Sequence, residues 1–193
     1  MAKFFFRYGS MNSGKSTMLI QVAHNYSETG QRAIIVKPSV DTKQEGIHSR
    51  VGISKPVDIY ASENDDLYKE IKTLYKKDKF DAVLVDEVQF LQPKQVEQLY
   101  RLTVDMNLPV IAYGLRTDFM GMAFPGASRA FDLANMIEEI RTKCTLCSKK
   151  ADHNSRRKNG EFEKSGEQVV IDDGTQVEYV PLCSKHFLQK VGL

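Results

Sequence analysis

Gly9-Ser10-Met11-Asn12-Ser13-Gly14-Lys15-Ser16 is the stretch that decides the fold. It satisfies G-x-x-x-x-G-K-S and stands where that motif must stand. Before it, Lys3-Phe-Phe-Phe-Arg-Tyr8 reads as a short aromatic-rich strand. After it, Lys15 to about Glu28 carries Met18, Leu19, Val22 and Tyr26 at helical spacing, with Gly30 as the stop. The glycines allow the backbone to aim successive amides into an anion nest, and a helix amino terminus adds partial positive charge there. In this pattern Lys15 reaches the β- and γ-phosphates and the Ser16 hydroxyl ligates magnesium. A chance glycine-rich turn is the competing reading, and the flanking strand and helix speak against it.

Outward from the loop, apolar runs alternate with helical patterns. Arg32–Lys37 reads as a strand ended by Pro38, and residues 39–56 as a long polar loop. Val57–Tyr60 is a strand candidate and Leu67 to about Lys76 a helix. Ala82-Val-Leu-Val-Asp86 is a continuous apolar run closed by an acid, as in a strand buried on both faces. Pro93 suits the first turn of a helix to about Met106, and Pro109–Tyr113 is another buried strand. Strands alternating with helices imply an α/β fold built on a parallel sheet flanked by helices, here of the phosphate-loop, RecA-like kind.

Ligands of open α/β sheets sit beyond the carboxyl ends of the strands, so Asp86 and Glu87 are aimed at the nucleotide. Asp86 fits the acid that holds magnesium. Glu87 fits a base for the attacking nucleophile, or an orienter of water in an ATPase. A solvated Asp-Glu turn is the bland alternative.

The texture changes after about Arg141. We expect a nucleotide-binding domain over 1–141 and a small hairpin-built domain with a long lid loop over 142–193. Cys144-Thr-Leu-Cys147 and Cys183-Ser-Lys-His186 form a Cys3His set that uses every cysteine of the chain, the coordination of a closed structural zinc site. A redox pair plus a buried thiol is the alternative. Zinc there pins both ends of the 148–182 segment, which makes that segment a candidate lid.

Composition bounds the rest. The 193 residues carry 27 basic and 25 acidic side chains, a net charge of +2. That balance argues against an electrostatically driven nucleic-acid binder. No apolar run is long enough to span a membrane, the first residues turn to glycine too soon for a signal peptide, and a cytoplasmic protein is expected. The basic run Arg156-Arg157-Lys158 reads as a solvated loop tip. His24, His48 and His153 read as helix-surface or loop residues.

Taken together, the phosphate loop, Asp86-Glu-Val-Gln-Phe90, Tyr113-Gly-Leu-Arg-Thr-Asp-Phe119, the Cys3His set and Val177-Glu-Tyr-Val180 resemble the bacterial type II thymidine kinases, zinc-containing phosphate-loop enzymes of deoxynucleoside salvage. The resemblance covers nearly the whole chain. It implies transfer of the γ-phosphate of ATP to thymidine, and to deoxyuridine, with Mg2+ and a structural Zn2+. It also implies a homotetramer and feedback inhibition by dTTP. Lys15 and Glu87 fall on catalytic positions, Ser16 and Asp86 on magnesium positions. Gly9 to Ser16 with Asp86, Glu87, Val88 and Gln89 fall on the ATP-phosphate site. Met11, Phe90, Leu115, Phe119, Phe124 and Tyr179 fall on the thymidine pocket, and Val169, Val170, Ile171, Asp172, Asp173 and Gly174 on the lid stretch that binds the base. Taken singly, the three phenylalanines read equally as core and Tyr179 as a plain strand residue. Asn154 departs from a threonine of some relatives and is left outside the expected site; Asp41 and Arg50 receive no role. A zinc-containing, nucleic-acid-stimulated ATPase remains the second reading.

Overall fold

In the computed structural model, which describes residues 1–41, 46–168 and 177–192, six strands form one parallel sheet. They are β1 (Phe4–Tyr8), β2 (Ala33–Pro38), β5 (Ile59–Ala61), β6 (Ala82–Val85), β7 (Val110–Gly114) and β8 (Met136–Glu139), and their order is β5-β2-β6-β7-β1-β8. Between them lie α1 (Lys15–Glu28), α2 (Leu67–Lys77), α3 (Pro93–Asp105) and α4 (Pro125–Leu133), and a two-stranded hairpin of β3 (Ile47–His48) and β4 (Ser54–Lys55) follows β2. The strand β7 separates β1 from β6, so the phosphate loop and Asp86 leave the sheet at the same edge, one strand apart.

The alternation of side chains along each strand sorts the core into two faces. Phe4, Phe6, Ile34, Val36, Val83, Val85, Val110 and Ala112 face α2, α3 and α4. Ile35, Leu84, Ile111 and Tyr113 face Leu19, Ile20 and Ala23 of α1. Burial on both faces is why the central strands read as unbroken apolar runs. The helix ends are set by local chemistry. Asp66 caps α2 by accepting from the Lys69 amide at 3.0 Å, while Gln92 and Gln95 exchange capping bonds ahead of α3, whose first residue is Pro93.

The expected strands and helices up to residue 113 are found within a residue or two. Two regions differ. Residues 39–56 are not a plain loop: they hold a 3-10 turn at Ser39–Asp41 and the β3–β4 hairpin, whose Ile47 is buried against α1. Residues 114–141, which carry no helix or strand periodicity, supply α4 and the edge strand β8.

Beyond residue 141 a second, three-stranded antiparallel sheet joins β10 (Glu161–Phe162), β9 (His153–Lys158) and β11 (Val177–Leu182), followed by α5 (Ser184–Lys190). Its own small core comprises Val180, Leu182, Phe187 and Val191 beside Cys144 and Cys183. The basic run is a correction: Arg156 is a buried residue of β9, 1% exposed, and not the tip of a solvated loop.

Candidate active site

The phosphate loop begins with Gly9 held to β7 by a bond from its amide to the Gly114 carbonyl at 3.2 Å. A Cβ at Gly9 would lie 2.5 Å from the Ile140 carbonyl oxygen, so no side chain fits there without backbone movement. Gly14 caps α1 at φ 85°, a left-handed conformation that favours glycine. Between them the Lys15 ammonium curls back and donates to the carbonyls of Gly9 at 3.3 Å and Ser10 at 3.1 Å. Burial holds the Lys15 pKa below its ordinary value, against the pull of Glu87 and Asp86.

Asp86 is buried at the end of β6, and its Oδ2 accepts from Ser16 Oγ at 3.4 Å. Burial first, and the neighbouring Glu87 second, push its pKa up to about 7 although Lys15 and Lys37 pull it down. Among the described residues its other oxygen, Oδ1, is buried without a partner, as are the hydroxyls of Ser10 and Ser13. Orphaned oxygens are costly in a folded protein unless something else satisfies them. A carboxylate and a hydroxyl at a phosphate nest form the donor set of a magnesium–phosphate site, and the residues fit that ion.

Glu87 stands where the chain turns out of β6, at φ 51°. Its Oε2 accepts from Gln89 Nε2 at 2.5 Å, and the Gln89 Oε1 in turn accepts from the Leu115 amide at 3.0 Å. Gln89 is thus directed to Glu87 and to the loop after β7, and Val88 lies in the hydrophobic core. A cavity of about 300 Å³ opens over the loop, lined by Met11, Asn12, Gly14, Lys15, Ser16, Thr17 and Glu87, and also by His48, Ser49, Arg50 and Val51 of the hairpin.

The aromatic positions fall into two groups, Phe90 with Phe124 and Phe119 with Tyr179 about Arg156. Phe90 meets Phe124 edge to face at 5.6 Å between ring centroids, and Met11 and Phe90 pack on the cluster that holds Leu115 and Phe124. Phe119 is buried beneath the Arg156 guanidinium at 3.8 Å, and Arg156 also pairs with Glu163 and donates to the Glu167 carbonyl at 2.8 Å. Tyr179 is half-buried opposite Arg156 across β9 and β11. Val169, Val170, Ile171, Asp172, Asp173 and Gly174 lie outside the described residues.

Asn154, left out of the expected site, is the residue that joins its parts. Its Oδ1 accepts from the Met11 amide at 2.6 Å and its Nδ2 donates to the Thr117 carbonyl at 3.0 Å. One buried amide therefore ties β9 to the phosphate loop and to the loop after β7. The only available signal for it was its departure from the family pattern; its polar neighbourhood carries no periodicity.

Cys144, Cys147, Cys183 and His186 converge with all ligand atoms within 4.8 Å of one another. Cys147 Sγ is 3.8 Å from Cys183 Sγ, and His186 Nδ1 is 3.4 Å from the sulfurs of both Cys144 and Cys183. A zinc tetrahedron with Zn–S bonds of about 2.3 Å has sulfur–sulfur edges of about 3.8 Å, so the four residues fit that ion. The first pair sits on a knuckle closed by the Cys144 amide on the Lys149 carbonyl at 2.8 Å; the second spans the start of α5. Burial alone would raise the Cys144 thiol, but bonds from the Cys183 amide and the His186 ring bring it down to about 6, toward the thiolate a metal needs.

The family model for thymidine kinase matches residues 2–187 of this chain. The chain is 36% identical to a thymidine kinase of Francisella tularensis, with 99% of each chain covered. It is 39% identical to one of Streptococcus agalactiae, with 97% of each covered. It is 43% identical to one of Legionella pneumophila, with 97% of this chain and 90% of the relative covered.

Proposed function

Because the chain belongs to the thymidine kinase family, we propose that it transfers the γ-phosphoryl group of ATP to the 5′-hydroxyl of thymidine, and of deoxyuridine, giving the 5′-monophosphate and ADP. The observation that carries this is the meeting of a buried Lys15, of Ser16 in its bond to Asp86, and of Glu87 at the wall of one cavity, which Met11 also lines.

Gly9 to Ser16 cradle the β- and γ-phosphates, and Lys15 exchanges its bonds to the loop carbonyls for bonds to phosphate oxygens. Ser16 and Asp86 would hold magnesium, which neutralises phosphate charge when bound. Glu87 accepts the proton of the 5′-hydroxyl as its oxygen bonds to phosphorus and the bond to the ADP oxygen breaks. Gln89 keeps the Glu87 carboxylate at the cavity mouth. Met11, Phe90, Leu115, Phe119, Phe124 and Tyr179 enclose the thymine, with the backbone of 169–174 as its hydrogen-bonding edge.

The zinc is structural: four protein ligands leave no open position for chemistry. The chain divides at about residue 141 into the nucleotide-binding part and the zinc-bearing lid part. A nucleoside triphosphate such as dTTP would fill the thymine pocket and the phosphate nest together, which suits a feedback inhibitor. A homotetramer is in keeping with apolar surface on the edge strand β8, where Met136 and Ile137 are about half exposed. No helix among the described residues is long and apolar enough to cross a membrane, and the protein acts in the cytoplasm. The nucleic-acid-stimulated ATPase is not favoured: the net charge is only +2, and burial of Arg156 takes the first residue of the basic run 156–158 away from solvent.

The test is ATP turnover measured with thymidine, with single-stranded DNA and with neither. Turnover should require thymidine. Equal turnover without nucleoside, or stimulation by DNA alone, would overturn the reading.

A further inference from the structure

The β3–β4 hairpin brings residues to the phosphate cavity that the mechanism above does not use. Its tip is tightly built. The Ser49 amide donates to the Ile53 carbonyl at 2.8 Å and the Gly52 amide to the Ser49 carbonyl at 3.0 Å. The hairpin is docked on its surroundings by apolar and polar contacts. Ile47 is buried against α1, the Ser49 hydroxyl lies 2.5 Å from that of Thr17 on α1, and the Lys37 ammonium donates to the Gly46 carbonyl at 3.3 Å. Thr17 follows Ser16 directly, so the hairpin is fastened to the same turn of helix that ends the phosphate loop.

This docking delivers Arg50 to the wall of the cavity that Lys15, Ser16 and Glu87 also line. Among the described residues the Arg50 guanidinium makes no ion pair. Its charge is felt by Lys15, whose ammonium it disfavours. Two cations held at one cavity, with no carboxylate assigned to the second, are the arrangement of a site completed by a polyanion. The planar fork of a guanidinium matches two oxygens of a phosphoryl group.

We propose that Arg50 is a further catalytic residue: it contacts the γ-phosphoryl group of ATP in the cavity it shares with Lys15 and Glu87, and offsets the charge on that group during transfer. Arg50 makes and breaks no covalent bond and moves no proton. Thr17 and Ser49 are positioning residues that hold its hairpin in place. The inference rests on the phosphate-loop reading given above, and the experiment separates the two.

Arg50→Ala, Arg50→Lys and Lys15→Ala would be compared in the full chain. The readouts are kcat for thymidine phosphorylation, and calorimetric affinity for ADP and for a non-hydrolysable ATP analogue; circular dichroism checks the fold. Arg50→Ala should lower kcat by about 10³-fold, the low end of what an arginine supplies to phosphoryl transfer. It should weaken the ATP analogue by about 10-fold, the loss of a charge-assisted hydrogen bond, and leave ADP binding unchanged. Arg50→Lys should recover only part of the rate, because an ammonium cannot bridge two oxygens. Near-normal kcat in Arg50→Ala beside an inactive Lys15→Ala would sink the inference and leave the phosphate loop standing. Equal weakening of ADP and the ATP analogue would also overturn it. Normal turnover in Lys15→Ala would remove the phosphate-loop reading itself.

Discussion

Replacing Asn154 by alanine removes two bonds at once, to the Met11 amide at 2.6 Å and to the Thr117 carbonyl at 3.0 Å, from a side chain only 3% exposed. Each leaves a polar backbone group short of a partner. Such a loss costs about 1–3 kcal/mol, and both groups are only partly buried, so the low end applies and the pair costs about 2–3 kcal/mol. In a chain of this size about 1 kcal/mol shifts the midpoint by about 2–4 °C, so Tm should fall by about 5–10 °C. The Met11 amide belongs to the phosphate loop, and the Met11 side chain packs on the core cluster that holds Leu115 and Phe124, so the loosened loop should raise KM for ATP and thymidine together. Asn154→Asp distinguishes the two bonds. Its carboxylate still accepts from Met11 but faces the Thr117 carbonyl with no donor, so it should lose stability while holding the phosphate loop. Calorimetric unfolding and steady-state kinetics of both variants check this. An Asn154→Ala variant with unchanged Tm and unchanged KM would refute the view that this amide joins the sheets.

Glu87→Gln keeps the shape and removes the basic oxygen; kcat should fall by about 10²–10⁴-fold with little change in nucleotide or thymidine binding, read by single-turnover kinetics and calorimetry. Asp86 provides a pH test. Its folded pKa, about 7, lies above its unfolded value, so between about pH 4 and pH 7 the folded state binds the extra proton and stability falls as pH rises. Asp86→Asn should therefore flatten that slope in metal-free melting curves, and should abolish the gain in magnesium affinity expected of the wild type as pH rises through 7. Metal analysis should find about one zinc per chain, and Cys183→Ser should speed proteolysis within 148–182 before it lowers the melting of the α/β core. An unchanged cleavage pattern would count against zinc as the clamp.

The elements that could be read in advance are those whose burial is symmetrical or periodic. The runs at 33–38, 82–85 and 110–114 are apolar on both sides because both faces of the sheet are covered. The metal ligands could be read because coordination imposes spacing directly. What escaped was built from small or polar residues. The helix α4 buries Gly126, Ala127 and Ala130, which make no apolar stripe. The strand β8, Met136-Ile-Glu-Glu139, is half exposed at the sheet edge and lacks alternation. The β3–β4 hairpin is held by hydroxyl and carbonyl bonds to distant residues, and Arg156 is buried only because Phe119, Glu163 and Glu167 surround it. Such partners are brought together by tertiary structure, and no local pattern announces them.

The backbone of Glu87 sits at φ 51°, a region in which a side chain other than glycine or asparagine costs on the order of 1 kcal/mol or more. This has an evolutionary edge. A laboratory selection for heat resistance alone would draw position 87 toward glycine, because relief of the backbone and loss of a carboxylate beside the buried Asp86 both favour the fold. The same replacement deletes the proposed base. Survivors of such a selection should therefore be hardier and silent, and only a coupled demand for thymidine phosphorylation would keep glutamate in so uncomfortable a place.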